Sequence, residues 1–452
     1  GTYFTANGSQ NWDIGQSVDS NSDGVFWVFC TSASSFPVSP GVFDPTYNGN
    51  WDLQISHFSN NGALVYNTYL GGGSAEFYPD IAVNETGQFV VSSCTIGGGY
   101  PVLNAWDPSY NGGWDFAVSQ FNSANGTLNY STYLGGGSDE FYSTAVDINA
   151  LGEVVFVGGM TTGAVPLVAP FDGVYNGNEL VIARFNAAGN IIRSSYLDGT
   201  CASGKWVSRG GVGFMPSGDI AVLAHTNGSC FTATAGTFDP TYNGDYDYFL
   251  YKIQGDLGGV LFGTWIGNGN RDGIDYNGDR ELCGLAVCSD NAIIVGGTNI
   301  SGGDVTWAST PGAFSTVNAG FERGYVIKFN GVTGQRIWGT TWCNSTGASW
   351  LNDIAVDASD NVFVLTGVQS TGMPTTADRH QAYTGGWDKH IAQLSADGTS
   401  LLYGTYLGTP GYEMPEAGSL AFSNGALYVA FLTDQNNSNP AMIVSAGAHQ
   451  TN

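Results

Sequence analysis

One segment recurs along the chain and limits the folds that the chain can adopt. The segment GVFDPTYNGNWDLQISHFSNNGALVYNTYLGG begins at Gly41, and close copies begin at Asn104 and Gly236. Looser copies begin at Ala169, Gly312 and Ala377. A period of about 65 residues indicates one supersecondary unit that is copied several times and packs against its neighbours. The repeat therefore predicts one closed or stacked array, although a length of 452 residues alone suggests several domains.

Each copy contains four strand-like segments that form two hairpins. The first hairpin is typified by DIAVNETGQFVVSSCT at 80–95, where an apolar run stops at a polar turn and resumes. The second is typified by DLQISHFSNNGALVYNTYL at 52–70, where NNG supplies residues that tolerate positive φ. Aromatic residues make up 13% of the chain and charged residues only 11%, which is typical of a β-rich chain with a large core.

Both faces of the predicted strands carry apolar side chains. In DYFLYKI, Tyr248 and Leu250 point to one face, whereas Phe249, Tyr251 and Ile253 point to the other. A sheet with two apolar faces must be covered on both sides, and radially packed blades achieve this because each blade lies between two neighbours. The sequence therefore predicts an all-β fold, a seven-bladed β-propeller of four-stranded antiparallel blades.

The predicted propeller occupies residues 1–452 as one domain, because the first hairpin and the TYL-type fourth strand each occur seven times. Its blades lie near 12–70, 76–134, 140–197, 207–266, 281–342, 350–407 and 415–452, the last completed by 1–4. The N- and C-terminal segments thus close the ring and remove free sheet edges. The third strand of the closing blade is either 441–446 or a strand supplied from outside this sequence, and we favour a processed boundary.

The motifs PGVFDPTYNG, ALVYNTYLGG and DIAVNETGQFVV resemble the seven-bladed β-propeller repeats called SBBP. The resemblance covers nearly the whole chain and is strongest over 41–158. It implies an extracellular or cell-surface protein, similar to Bacteroidota proteins that are exported through the type IX route. It also implies a role in adhesion, protein binding or surface assembly.

The chain carries 12 Lys and Arg against 38 Asp and Glu, a formal net charge of −26. Such an acidic surface repels nucleic-acid phosphates, so we expect no nucleic-acid partner. No apolar run reaches the length of a membrane helix, so we expect no membrane span. Charged partners should be metal ions or basic protein surfaces.

The loop after Trp265, GNGNRDGIDYNGDRELCG, departs most from the repeat. Oxygen-bearing side chains alternate in it, at Asp275, Asn277, Asp279 and Glu281. Such spacing can curl around a hard cation, so calcium is the one cofactor that the sequence suggests. The alternative is a solvated acidic loop. The DxNxDG motif at 19–24 occupies the place of a plain hairpin turn, and we interpret it as one.

Residues that recur in most blades are expected to pack blades together rather than to bind a ligand. This applies to Phe43, Tyr47, Trp51 and their equivalents. Asp52 and its equivalents Asp115, Asp247 and Asp388 follow the recurrent aromatic residue, and each should accept backbone N–H bonds from the adjoining turn. His57 lies on a repeat strand and is expected to pack there.

Seven cysteines leave one pair well placed for a disulfide. Cys201 and Cys230 lie in non-repeated loops that emerge on the same face of the fourth blade, so we predict that they are bonded. Cys30 and Cys94 occupy equivalent positions in adjacent blades, too far apart to bond, and Cys283 and Cys288 lie well separated on one strand.

No nucleophile elbow, metalloprotease motif or phosphate loop occurs, so the sequence supplies no catalytic residues. We therefore expect a non-enzymatic extracellular propeller that binds other surface or secreted proteins. The alternatives are a carbohydrate-binding propeller, assisted by calcium, and a polysaccharide hydrolase or lyase with a central site.

Overall fold

The computed structural model describes residues 14–137, 139–140, 143–160, 165–197, 205–273, 282–344 and 346–433. These residues form seven antiparallel sheets, six of four strands and one of which two strands lie in the described part of the chain. The sheets are the blades of one ring, so the predicted all-β, seven-bladed propeller is confirmed.

The strands follow one another in chain order. Blades 1 to 3 contain β1 (Ile14–Asn21), β2 (Gly24–Thr31), β3 (Asp52–Ser59), β4 (Leu64–Leu70), β5 (Ala75–Val83), β6 (Gln88–Ile96), β7 (Trp114–Asn122), β8 (Leu128–Leu134), β9 (Thr144–Ile148), β10 (Val154–Met160), β11 (Glu179–Phe185) and β12 (Ile191–Leu197). Blades 4 and 5 contain β13 (Lys205–Phe214), β14 (Ile220–Thr226), β15 (Asp247–Ile253), β16 (Val260–Ile266), β17 (Cys283–Val287), β18 (Ile293–Asn299), β19 (Arg323–Phe329) and β20 (Arg336–Trp342). Blades 6 and 7 contain β21 (Ser349–Val356), β22 (Val362–Val368), β23 (Asp388–Leu394), β24 (Leu401–Leu407), β25 (Glu413–Ser423) and β26 (Ala426–Thr433). A short 3-10 helix, Thr306–Ala308, lies in a loop of blade 5.

The first strand of each blade lies at the centre of the ring and contacts the first strands of the two neighbouring blades. Within a blade, the strands pair in the order in which the chain forms them. The ring closes between β25 and β1, where the Val18 N–H donates to Ser419 Oγ at 3.2 Å. Ser423 Oγ also donates to the Asn21 carbonyl at 2.9 Å. First and last described blades are therefore bonded to each other.

The two faces of each blade belong to two different cores, as β15 illustrates. Phe249 and Tyr251 pack in the core shared with blade 3, together with Val155. Tyr248 and Leu250, one residue out of phase, pack in the core shared with blade 5. The alternation predicted from DYFLYKI is thus confirmed, and each blade is stable because it is covered by both neighbours.

The predicted closing segments, 1–4 and 434–452, lie outside the described residues, and so does the proposed third strand at 441–446. The identity of the strands that complete blade 7 therefore stays a prediction. The described part of the chain contains no helix that is long and apolar enough to cross a membrane.

Truncation of one of these inter-blade side chains should destabilise the protein strongly. Phe249 is fully buried, so we expect Phe249→Ala to lower the free energy of unfolding by about 3–5 kcal/mol. The matched control is Leu151→Ala, because Leu151 is 74% exposed and such changes alter stability by about 0.5 kcal/mol or less. Denaturant titration measures both. Equal losses of unfolding free energy in the two variants would contradict the burial of Phe249 between blades.

Candidate functional site

The centre of the ring encloses a cavity of about 300 Å³ that is lined by the innermost strands. Four carboxyl side chains lie on its wall, those of Asp19, Asp80, Asp147 and Asp353. Carboxylates that converge in a propeller channel are candidates for catalysis or cation binding, so their hydrogen bonds decide what they can do.

Asp19 and Asp147 occupy equivalent positions in blades 1 and 3, and each bonds to the backbone of the next blade. Asp19 Oδ2 accepts the Val83 N–H at 2.7 Å, and Asp147 Oδ2 accepts the Phe214 N–H at 2.7 Å. The other oxygen of each carboxyl group accepts the N–H of the following residue. Both oxygens of each group are therefore engaged.

Asp80 and Asp353 also bond to the backbone of the next blade, from a different position on the inner strand. Asp80 Oδ2 accepts the Val146 N–H at 2.9 Å, and its Oδ1 accepts the Ser17 hydroxyl at 2.7 Å. Asp353 Oδ2 accepts the Leu420 N–H at 2.7 Å. The four carboxyl groups thus join blade 1 to 2, blade 2 to 3, blade 3 to 4 and blade 6 to 7.

Burial makes the ionised form of these groups costly. Loss of solvent, together with the neighbouring carboxyls of Asp147 and Asp80, raises the pKa of Asp19 to about 7. Burial likewise raises the pKa of Asp147 to about 6 and the pKa of Asp353 to about 6. Backbone N–H donors oppose this effect but do not cancel it. The geometry assigns these side chains a structural role, the bonding of adjacent inner strands.

A second concave site lies between blades 4 and 5, on the face of the ring that carries the long connections between the second and third strands. It has a volume of about 410 Å³, and its lining combines the rings of Phe238 and Trp307 with polar groups of Asp239, Asn268 and Asp304. The two ring centroids lie 6.3 Å apart. The Arg336 guanidinium lies 4.9 Å from the Phe238 centroid and holds that ring in place. We call this site the blade 4–5 groove.

The sequence did not predict the blade 4–5 groove because its residues come from three separate loops. Aromatic rings beside carboxylate and amide oxygens can hold a ligand that has both apolar and hydroxyl surfaces, because rings supply flat apolar contact and the oxygens accept hydrogen bonds. Phe238 is one of the recurrent aromatic residues, equivalent to Phe43.

The predicted calcium ligands Asp275, Asn277, Asp279 and Glu281 lie outside the described residues, so that site stays a prediction. Cys201 also lies outside them, whereas Cys230 is buried, and the disulfide between the two stays a prediction. The other five cysteines, all in the described part of the chain, form no disulfide with one another. The 19–24 segment contains a tight turn after Asn21, as expected, but Asp19 itself points into the channel.

The prediction that recurrent aromatic residues pack blades together is confirmed for the Phe43 position, whereas Tyr47 packs against Tyr69 of its own blade at a centroid distance of 5.9 Å. Phe43 of blade 1 meets Phe121 of blade 2 edge-on, at a centroid distance of 5.8 Å. Phe238 meets Phe329 of the next blade in the same way at 5.7 Å. His57 is also a packing residue, stacked on Phe26 at 4.1 Å.

The prediction for the recurrent aspartates is confirmed as well. Asp52 Oδ2 accepts the Asn48 N–H of the preceding turn at 2.7 Å. Equivalent bonds are made by Asp115, Asp247 and Asp388.

One further group of potential metal ligands occurs among the described residues, at Cys288, Asp290 and Asp360. One of its two carboxyl groups is already paired, because Lys328 Nζ lies 3.3 Å from Asp290 Oδ2. Burial raises the pKa of the Cys288 thiol to about 12, so the thiolate that a metal requires is disfavoured. We assign this group to packing between blades 5 and 6.

No protein-family model and no curated protein matches the sequence. Solved structures match at low similarity. BamB from Moraxella catarrhalis is 10% identical, with a TM-score of 0.32, over 86% of this chain and 98% of that chain. The K499G mutant of NanB sialidase from Streptococcus pneumoniae is 10% identical, with a TM-score of 0.40, over 95% of this chain and 67% of that chain. Such scores carry no inference about activity.

The raised carboxyl pKa values predict how stability depends on pH. A group that titrates near pH 7 in the folded state and near 3.8 when unfolded favours folding at low pH, and this contribution is lost as the pH rises through 7. Relative to Asp19→Asn, wild type should therefore lose about 2 kcal/mol of unfolding free energy between about pH 5 and about pH 8. Denaturant titrations across this range measure the difference in unfolding free energy between the two proteins. A difference that does not vary with pH would contradict the raised pKa of Asp19.

Proposed function

We propose that the chain is a non-enzymatic scaffold that presents one face of the ring to other proteins outside the cell. The observation that supports this most is the use of the repeated functional groups. The recurrent aromatic residues make packing contacts within and between blades. The channel carboxyl groups bond to the next blade, and their oxygens accept hydrogen bonds from N–H or O–H donors. What varies from blade to blade is the first part of the connection between the second and third strands, before the recurrent motif that begins at Gly41 in blade 1.

These variable segments belong to long connections on one face of the ring. The connections between the second and third strands are long, at 32–51, 97–113, 227–246, 300–322 and 369–387. They emerge beside the connections that lead to the next blade, as in blade 1, where the Asn50 N–H donates to the Ser74 carbonyl at 2.6 Å. Rigid sheets that hold variable loops in fixed positions suit recognition of other macromolecules.

The charge of the chain indicates the chemistry of the partner. A net charge of −26 favours basic protein surfaces as partners. The resemblance to SBBP repeats supports an extracellular or cell-surface location, with adhesion or surface assembly as the biological role.

A partner recognised through these charges should bind in a salt-dependent way. We expect purified surface proteins of the source cell that carry basic patches to bind the full chain, with affinity falling at least tenfold between about 50 mM and about 500 mM salt. Biolayer interferometry with the immobilised chain measures this. Release of sugars or unsaturated products from a polysaccharide by the chain would contradict the proposal.

The blade 4–5 groove favours carbohydrate binding as a second candidate function. Its aromatic rings offer stacking surfaces, and the oxygens of Asp239 and Asp304 can accept hydrogen bonds from sugar hydroxyls. This candidate can be separated from the first because it requires the groove itself, whereas a protein partner can use the whole loop face.

Gly269 offers a way to fill the groove without altering the core. A side chain added there meets the Asn243 carbonyl oxygen at 3.6 Å, an ordinary contact. We expect Gly269→Trp to weaken glycan binding at least tenfold. The matched control is Gly73→Trp, since Gly73 holds the equivalent position in blade 1 and faces open space. Glycan-array binding that is unchanged in Gly269→Trp would reject the groove as a sugar site.

A further inference from the structure

Carboxyl side chains also meet at the junctions between blades, and none of them lines the central channel. At the first junction, Asp52 begins the third strand of blade 1 and Glu76 lies on the first strand of blade 2. Both side chains are fully buried. The backbone fixes them side by side, because the Glu76 N–H donates to the Trp51 carbonyl at 3.0 Å.

Each carboxyl group of this pair has one oxygen with a partner and one without. Asp52 Oδ2 accepts the Asn48 N–H, and Glu76 Oε1 accepts the Thr95 hydroxyl at 2.7 Å. Asp52 Oδ1 and Glu76 Oε2 are buried and accept no hydrogen bond. A buried anion without a partner carries a large desolvation cost, so these two oxygens indicate that a ligand belongs between them.

The sequence keeps a glycine where the two unpartnered oxygens converge. A Cβ at Gly71 would lie 2.5 Å from Glu76 Oε2 and 2.7 Å from Asp52 Oδ1. Any other residue would collide with the carboxyl pair. The glycine of the recurrent YLG motif is therefore required by the pair itself.

The arrangement recurs at three more junctions, with the same backbone bond and the same glycine. The pairs are Asp115 with Glu140 beside Gly135, Asp247 with Asp272 beside Gly267, and Asp388 with Glu413 beside Gly408. Asp115 Oδ1, Glu140 Oε1, Asp247 Oδ1, Asp272 Oδ1 and Glu413 Oε2 are buried without a hydrogen bond. Asp388 differs, because the Thr384 hydroxyl donates to its oxygens.

The junction after blade 5 lacks both acids, and a cation of the chain takes their place. Arg323 begins the third strand where blades 1, 2, 4 and 6 have Asp, and Ser349 stands opposite. The Arg323 guanidinium donates to the carbonyl oxygens of Gly302, Gly303 and Gly320, at distances of 2.6 to 3.2 Å. Loop carbonyl oxygens at this junction thus surround a positive charge.

We propose that the four carboxyl pairs are binding sites for a hard divalent cation, with Ca²⁺ as the ion whose ligand preference they match. Two carboxylates and loop carbonyl oxygens are the donors that Ca²⁺ prefers. A bound divalent cation neutralises the two facing charges and joins adjacent blades. None of the four pairs includes the residues predicted as calcium ligands at 275–281.

Calcium binding by the full chain, measured by equilibrium dialysis and elemental analysis at neutral pH, tests this assignment. The test variant combines Glu76→Gln, Glu140→Gln, Asp272→Asn and Glu413→Gln. Each new amide can donate to the facing carboxylate, so the variant is expected to fold, which near-UV circular dichroism checks. Wild type should bind four more Ca²⁺ per chain than this variant, one for each pair.

A second readout is thermal stability. Saturating Ca²⁺ should raise the melting temperature of wild type and of the control Asp256→Asn, whose side chain is 75% exposed, and should have little effect on the fourfold variant. Comparison with the variant excludes any contribution from the 275–281 loop, which both proteins share. Equal Ca²⁺ stoichiometry in wild type and variant would overturn the proposal and leave a proton shared between the carboxyl groups.

Discussion

The fold depends on one constraint, that each four-stranded sheet has two apolar faces and is stable only when both are covered. A stack of such sheets would leave the first and last sheets half exposed, whereas a ring leaves none. In this chain the ring is closed by bonds between β25 and β1, which include the bond from the Val18 N–H to Ser419. The blades are therefore interdependent, and loss of one exposes faces of two others.

Carboxyl groups carry much of the contact between blades, which is unusual for groups that are costly to bury. The channel aspartates are stabilised by N–H donors of the neighbouring inner strand, as with Asp19 and Val83. The junction pairs such as Asp52 and Glu76 lack enough donors for all of their oxygens. The first arrangement needs nothing from solution, whereas the second is completed by a ligand. The acidic composition of the chain is thus partly an internal feature of the ring.

The sequence predicted those features that depend on local pattern. Alternation of apolar residues in β15 predicted burial on both faces, and the position of Asp52 after a turn predicted its bond to the Asn48 N–H. Both follow from residues that are close together in the chain. The number of blades followed from the count of repeats.

The sequence did not predict groups whose partner lies in another blade. Glu76 meets Asp52, and Asp147 meets Phe214, only after the ring has assembled. A signal was nevertheless present in the sequence. In the blades whose third strand begins with Asp, an acid lies at a fixed spacing after the glycine that follows the fourth strand, as Glu76 does after Gly71. The blade that begins with Arg323 lacks that acid, so the two positions vary together within one chain.

Native-state hydrogen exchange tests most directly whether the inner strands form one closed ring. If they do, the amides of β25 and β1 exchange with the same opening free energy as those of β5 and β21, because each inner strand is held by both neighbours. Exchange of β25 at a much lower free energy than β5 and β21 would show that the seventh blade opens alone, and would contradict the account of a ring closed through β25.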